Sequence, residues 1–301
     1  MNNRLTRWLL GAAAVVALVL AGCSTLDEQQ RRWVFQPSKH TWGGAAALAE
    51  GMQEEWIDFR SERMGEPVRL NALWLPQPRA DAPLLLYLHG ARWDVRSSAF
   101  RMRRMHELGF AVLGVDYRGF GRSTDVLPSE DLAREDARAA WDWLARRHPH
   151  APRYIFGHSL GAALAVELAA DVADERGLIV EGSFTSLPDV VGSFRWGWLP
   201  VGPLITQRFD AASRIAAVGS PVLVVHGSDD ALIAPRLGRA LFDGAREPKR
   251  FVLVQGGSHH NTNAVGQAQY RQAVAELFGI GADAVAHAPM AAPSATPFAT
   301  R

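Results

Sequence analysis

Ser159 is the residue of this 301-residue chain whose surroundings point most directly to chemistry. It stands at the centre of Gly157-His158-Ser159-Leu160-Gly161, after a short apolar run predicted to be a strand and before a long one predicted to be a helix. A serine on such a turn is held in strained backbone geometry with its hydroxyl exposed, and the flanking glycines avoid collisions across the turn. The pattern therefore predicts a serine nucleophile.

A serine hydroxyl attacks only when a base removes its proton, and a third group must orient that base. Where this type of turn is used, an acid and then a histidine follow the serine along the chain, each after a later strand. The predicted strand 221–226 precedes Asp229 and Asp230, and the predicted strand 250–254 precedes His259 and His260. From position alone either aspartate and either histidine fits the role.

Hydrolysis through a serine also needs backbone N–H donors for the negative charge that develops on the carbonyl oxygen. One donor is expected from Leu160, the residue after the nucleophile. The second is expected from the loop after the predicted strand 83–88, where Ala91 is assigned as the donor. His89 in the same loop is predicted to brace it.

Taken together, these segments resemble the α/β-hydrolase superfamily, in its serine-aminopeptidase-like branch of lipases, esterases and thioesterases. The resemblance covers residues 56–278 and rests on His89-Gly90, Asp116 to Ser123, the pentapeptide around Ser159, His226 to Asp230 and the histidine loop. It implies that Asp230 is the catalytic acid and His259 the catalytic base. It also implies a structural role for Asp116.

The order of the predicted elements agrees with an α/β-hydrolase fold. An antiparallel pair at 55–61 and 68–75 is followed by apolar strands that alternate with helices, which predicts a mostly parallel twisted sheet with helices on both faces. A short cap is expected at about 183–215. Its apolar residues are predicted either to pack on the domain or to form a wall for an acyl chain; they include Phe194, Trp196, Trp198 and Leu199.

The only cysteine, Cys23, excludes an intrachain disulfide. Arg4 and Arg7 precede an apolar run at 8–20 that is short for a membrane span, and Leu20 to Cys23 resembles the bacterial lipobox. The resemblance implies a signal peptide at 1–22, acylation of Cys23 and a bacterial cell-envelope location. Ser24 resembles sorting signals for the periplasmic face of the outer membrane. The alternative is an ordinary cleaved secretory peptide.

Three further segments are predicted. Residues 23–54 form a tether and docking segment, 55–280 the α/β-hydrolase domain and 281–301 a disordered tail rich in alanine and proline. Trp33, Phe35 and Trp42 are expected to pack on the domain.

Composition narrows the function classes. A formal net charge of +1 gives no reason to expect a nucleic-acid partner. No glycine-rich phosphate loop and no metal-ligand motif is present in the sequence, so neither a cofactor nor a metal is expected. These features favour a cell-envelope serine hydrolase that cleaves a small-molecule carboxylic ester or thioester while anchored to a membrane through Cys23. The alternatives are a serine aminopeptidase-like peptidase and a non-catalytic envelope lipoprotein with a hydrolase fold.

Overall fold

The computed structural model describes residues 22, 24–194 and 197–281, except for the side chain of Ala46. The predicted signal segment, Cys23, Trp196 and the predicted tail from residue 282 onward lie outside the described residues. Among those residues, no helix combines the length and the apolar character needed to cross a bilayer.

Eight strands form one sheet in the order β1-β2-β4-β3-β5-β6-β7-β8. The β1/β2 and β2/β4 pairs are antiparallel, and every other neighbouring pair is parallel. In chain order the strands are Gln53–Arg60, Pro67–Leu75, Leu84–Leu88, Ala111–Val115, Arg153–His158, Glu175–Glu181, Val222–Gly227 and Lys249–Val254. The antiparallel opening pair and the parallel sheet after it are confirmed.

Helices cover both faces of the sheet. In chain order, α1 to α10 are residues 24–35, Ala45–Leu48, Ala99–His106, Glu130–Arg147, Leu160–Asp171, Leu187–Gly192, Ala211–Arg214, Pro235–Gly244, Thr262–Val265 and Gln267–Phe278. The buried residues of α4 and α5 belong to the hydrophobic core on one face of the sheet, and those of α3 and α10 belong to the core on the other. Successive residues of β3 alternate between these two cores, as the period of a strand requires, so all five are buried.

The helix after the first parallel strands shows how the sequence specifies its own limits. Ser129 caps α4 by accepting a hydrogen bond from Leu132 N–H, and Glu130 and Asp131 occupy the first turn, where negative charge is favoured. The apolar residues of this helix at spacings of three and four are buried: Ala133, Ala137, Ala140, Trp141 and Leu144. Apolar residues three and four positions apart therefore fix the side of the helix that meets the sheet.

The segment before the domain docks through α1, but only one of the three predicted aromatic contacts is made. Phe35 is fully buried and packs edge-on against Phe209, with Phe120 beside it. Trp33 and Trp42 are each 60% exposed, so the expectation that they pack on the domain is wrong. Polar contacts hold α1 instead: the Gln30 amide donates to Leu204 O and accepts from Thr206 N–H.

The predicted cap region between β6 and β7 consists of short elements. In its described part these are α6, a 3-10 turn at Gly202–Leu204, α7 and a second 3-10 turn at Ile215–Ala217. Ser186 caps α6 and Asp210 caps α7. Val190, Phe209 and Ala211 are buried against the domain, whereas several apolar residues of the region remain exposed.

Candidate active site

Ser159 occupies the turn between β5 and α5 with φ 56° and ψ −121°. A non-glycine residue with positive φ carries strain that the surrounding structure must hold in place. Both flanking glycines are required by close packing. A Cβ on Gly157 would lie 2.3 Å from Gly161 O, and a Cβ on Gly161 would lie 2.2 Å from Leu88 O.

His259 reaches the serine from the loop after β8. Its Nε2 lies 3.0 Å from Ser159 Oγ, and its Nδ1 lies 2.8 Å from Asp230 Oδ2. Because the carboxylate can only accept, Nδ1 carries the proton and Nε2 is left free to accept from the serine hydroxyl. The structure thus brings three residues predicted from sequence into one hydrogen-bonded chain, at the carboxyl ends of β5, β7 and β8.

Asp230 is held as a charged acceptor. Its Oδ1 accepts from Leu232 N–H at 3.0 Å and Ile233 N–H at 2.8 Å, which leaves Oδ2 for the histidine. Burial tends to raise the pKa of this carboxyl group, but hydrogen bonds from His226, His259 and the Ile233 N–H hold the pKa well below its ordinary value. His226 Nε2 also lies 2.9 Å from Ile233 O, which ties the acid loop to the end of β7.

The neighbouring residues of each pair face elsewhere. Asp229 is exposed and accepts from the Ser228 hydroxyl, and its N–H donates to Gly257 O. His260 is exposed, and its ring stands edge-on to His259. The backbone therefore presents one aspartate and one histidine to Ser159 and turns their neighbours outward.

The loop after β3 passes directly beside Ser159. A Cβ on Gly90 would lie 3.0 Å from the Ser159 Cβ, so Ala91 follows a point of close approach to the serine. Within the described residues, no protein acceptor is bound by the N–H groups of Ala91 or Leu160. Two free donors therefore flank the serine hydroxyl.

His89 and Asp116 lie behind this loop rather than beside the serine. The buried His89 ring has Nδ1 2.7 Å from Gly90 O and Nε2 3.5 Å from Asp116 Oδ1. Asp116 accepts from Val95 N–H, and burial raises the pKa of its carboxyl group. These contacts are internal to the scaffold.

A buried ionic cluster that sequence reasoning missed supports the histidine loop. Arg101 of α3 is 5% exposed; its Nε donates to Glu181 Oε1 at 2.9 Å, and its Nη2 donates to the carbonyl oxygens of His259 and His260 at 3.2 and 3.1 Å. Tyr270 OH donates to the other Glu181 oxygen. Burial disfavours charge on the guanidinium, yet Glu181 raises the pKa of Arg101.

His158, the residue before Ser159, joins the same cluster. Its Nε2 lies 3.0 Å from both Arg101 Nη2 and the His259 carbonyl oxygen. Burial, together with the charge of Arg101, lowers the pKa of His158 well below its ordinary value, so this ring is neutral. The cluster fixes the backbone of His259, whose side chain faces Ser159.

No three His, Cys, Asp or Glu side chains are grouped as metal ligands in the part of the chain that the structure describes. The grouping at Ser159 combines a hydroxyl group, an imidazole, a carboxylate and two free N–H donors. Chemically, such an arrangement can transfer an acyl group to serine and then to water.

The known proteins that this chain resembles include hydrolases. The family described as serine aminopeptidase, S33, matches residues 79–209. A protein of Mycobacterium tuberculosis, strain CDC 1551, described as uncharacterized, is 34% identical over 256 residues, which cover 84% of this chain and 88% of the relative. A lysophosphatidylserine lipase, ABHD12, of Danio rerio is 27% identical over 287 residues, which cover 82% of this chain and 73% of the relative.

Solved structures share the fold at low sequence identity. The Pyrococcus furiosus esterase Pf2001 aligns with a TM-score of 0.61 and 18% identity over 81% of this chain and 98% of its own. Est1E from Butyrivibrio proteoclasticus, in a complex with ferulic acid, aligns with a TM-score of 0.61 and 18% identity over 75% of this chain and 99% of its own.

Proposed function

The chain belongs to the α/β-hydrolase superfamily, and we propose that it is a serine hydrolase that cleaves carboxylic esters or thioesters through an acyl-Ser159 intermediate. The observation that carries the proposal is the hydrogen-bonded chain from Ser159 through His259 to Asp230. Its order and its contacts are those that activate a serine hydroxyl.

In the first step Ser159 Oγ attacks the substrate carbonyl carbon while His259 Nε2 takes the hydroxyl proton. Asp230 stabilises the resulting imidazolium through its bond to Nδ1. The N–H groups of Ala91 and Leu160 are the proposed donors to the oxyanion. As the tetrahedral intermediate collapses, the imidazolium gives its proton to the departing alcohol or thiol, and the acyl group stays on Ser159.

In the second step His259 takes a proton from a water molecule, which attacks the acyl carbon of the intermediate. Collapse of the second tetrahedral intermediate returns the proton to Ser159 Oγ and releases a carboxylic acid. Every group needed for both half-reactions lies on the carboxyl-terminal edge of the parallel strands.

The surroundings favour an ester with an apolar acyl group. The cap region is rich in apolar side chains, and the relative named a lysophosphatidylserine lipase supports a lipid ester. A peptidase that selects a free amino terminus needs a carboxylate for the substrate amine. The described cap residues contain two acids, and both are engaged. The Asp189 carboxylate accepts from the hydroxyl groups of Thr185 and Ser186, and Asp210 caps α7.

The decisive test is labelling with a fluorophosphonate, which modifies activated serines. The parent should be labelled and should turn over short-chain esters, whereas Ser159→Ala should be unlabelled and lose several orders of magnitude in turnover. Ser220→Ala is the matched control, because Ser220 precedes β7 at the opposite edge of the sheet. A folded parent without label is the outcome expected of a non-catalytic binding protein, and amide cleavage that outpaces ester cleavage indicates a peptidase.

We further propose that Cys23 is acylated and anchors the enzyme to the bacterial cell envelope, at the periplasmic face of the outer membrane. The support is the Leu20-Ala21-Gly22-Cys23 sequence behind a short apolar run. Two or more acyl chains suffice for stable anchoring. Metabolic labelling with a palmitate analogue should mark the parent and not Cys23→Ala. Equal labelling of the two proteins would refute the proposed lipid anchor at Cys23.

A further inference from the structure

We propose that α1 and the cap together form a face that docks on a lipid bilayer. The face consists of Leu26, Trp33, Trp198, Leu199 and Leu204, here called the cap face. These side chains are 42%, 60%, 73%, 41% and 59% exposed, respectively.

Members of the cap face are contiguous rather than scattered. Trp33 and Leu204 line one apolar groove of about 220 Å³, together with Val34, Leu187 and Val191. Leu26 lies two helical turns before Trp33 and therefore on the same side of α1. Trp198 and Leu199 lie in the turn that leads to Val201, another wall of the groove. Single exposed apolar side chains are ordinary on protein surfaces, but a joined set of this kind marks an interaction site.

The two elements of the cap face are fixed to each other, so the face behaves as one surface. The Gln30 side chain donates to Leu204 O at 2.7 Å and accepts from the N–H and hydroxyl groups of Thr206 at 2.9 and 3.4 Å. Asp27 accepts from the Gln207 amide at 2.9 Å. These bonds lie beside the apolar stripe of α1 and hold it against the cap.

The place of Cys23 in the chain points to a bilayer as the occupant. A helix rises about 1.5 Å per residue, so Leu26 lies about 3 Å and Trp33 about 13 Å beyond residue 24, which begins α1 and follows Cys23 in the chain. A lipid on Cys23 would bring the cap face within reach of the membrane surface. This step rests on the anchor proposed above.

The chemistry of the cap face also suits a bilayer. Tryptophan and leucine are the residues that settle at the boundary between headgroups and acyl chains. Charges on the rest of α1 do not oppose contact with a membrane, because Glu28 pairs with Arg32 at 2.7 Å and Asp27 with Arg31 at 3.8 Å. The helix is thus amphipathic, with balanced charge beside its apolar stripe.

Docking in this way would deliver lipid to the active-site side of the enzyme. The carbonyl oxygen of Phe35, at the end of α1, accepts from Arg92 N–H at 2.9 Å, and Arg92 follows Ala91. The helix that carries Trp33 is therefore bonded to the loop that passes Ser159. A lipid ester taken from the bilayer would have a short path to the serine.

The test uses the full chain with an environment-sensitive fluorophore at Trp33→Cys, Leu204→Cys or Trp42→Cys. Trp42 is the matched control, because it is exposed to the same 60% as Trp33 but is not part of the groove. The proteins are reconstituted in phosphatidylcholine–phosphatidylglycerol vesicles that contain doxyl-labelled lipids. The parent chain is treated in parallel, so that any label on Cys23 is measured and subtracted.

Doxyl lipids should quench the labels at positions 33 and 204 at least about threefold more than the label at position 42. Equal quenching at the three positions, or none, would overturn the proposal. A spectral shift at 33 and 204 that follows protein concentration and ignores the doxyl lipid would assign the cap face to a second copy of the chain. Turnover of a water-soluble ester by the same samples reports on the hydrolase proposal separately.

Discussion

Replacing Asp230 by asparagine should disable the enzyme by fixing His259 in the wrong tautomer. In the parent, Oδ1 accepts from the N–H groups of Leu232 and Ile233, and Oδ2 accepts from His259 Nδ1. An asparagine must keep its amide oxygen toward the two N–H donors, because its NH2 group would meet them as a second donor. The NH2 group then faces His259 and donates to Nδ1, so the remaining ring proton moves to Nε2.

A histidine with its proton on Nε2 cannot accept one from Ser159, whose Oγ lies 3.0 Å away. The equivalent exchange in a serine protease lowers turnover by about 10⁴. At about 1.4 kcal/mol per factor of ten, this corresponds to about 5.5 kcal/mol of lost transition-state stabilisation. We expect Asp230→Asn to lose roughly this amount in kcat while it remains folded, because the new side chain has the same shape.

The assay is turnover of a short-chain nitrophenyl ester, with melting temperatures measured on the same samples. Asp229→Asn is the control, since Asp229 is exposed and contacts the Ser228 hydroxyl, and it should keep activity within about threefold of the parent. If Asp230→Asn stays within tenfold of the parent, or if Asp229→Asn is the inactive variant, the tautomer argument is refuted.

Two further predictions concern the buried cluster. Arg101→Met should destabilise the fold by about 3–5 kcal/mol in urea titrations, because it leaves the Glu181 carboxylate buried without its partner. Adding Glu181→Gln to this variant should recover much of the lost stability. If the double variant recovers none of it, the ionic explanation is wrong. Burial depresses the pKa of His158. Below about pH 6.5 the unfolded chain therefore gains a proton at this residue that the folded chain does not, and the free energy of unfolding decreases as the pH is lowered. His158→Gln should flatten this fall between about pH 6.5 and 5 by up to ~1.4 kcal/mol per pH unit, and an unchanged slope would count against it.

Much of the fold could be predicted because its signals are local. Apolar runs of strand length predicted β1, β2, β3, β7 and β8 within about two residues of their ends. Apolar residues three and four positions apart likewise mark the buried face of α4. The parallel arrangement then forces the loops after β3, β5, β7 and β8 to one edge of the sheet. That is why residues from four separate segments could be predicted to meet.

Choosing between adjacent residues depended on more than local pattern. Asp229 and Asp230 are the same residue type and follow the same strand, so only the family resemblance distinguished them. In the structure the difference is one of direction: the two N–H groups after the turn draw Asp230 inward, whereas Asp229 faces solvent. The same holds for His259 and His260.

Long-range contacts explain what the sequence did not reveal. Arg101, Arg103 and Arg104 look alike in sequence, and a run of arginines on a short helix is typical of a solvated face. Arg101 is buried because Glu181, 80 positions later, and the carbonyl oxygens of the histidine loop, about 158 positions later, form a site for its guanidinium. Likewise, aromatic character did not distinguish Phe35, which meets Phe209, from Trp33 and Trp42, which remain exposed.

The buried cluster and the hydrogen-bonded chain from Ser159 to Asp230 meet at His259 and contact different parts of it. Asp230 orients the ring through Nδ1, whereas Arg101 and His158 hold the main-chain carbonyl oxygen of the same residue. The loop that carries His259 is glycine-rich, so its own backbone offers little rigidity. A fixed guanidinium beneath it supplies that rigidity from α3, on the opposite face of the sheet from α5, which begins directly after Ser159. The distance between Ser159 and His259 is therefore set jointly by helices from both layers of the fold.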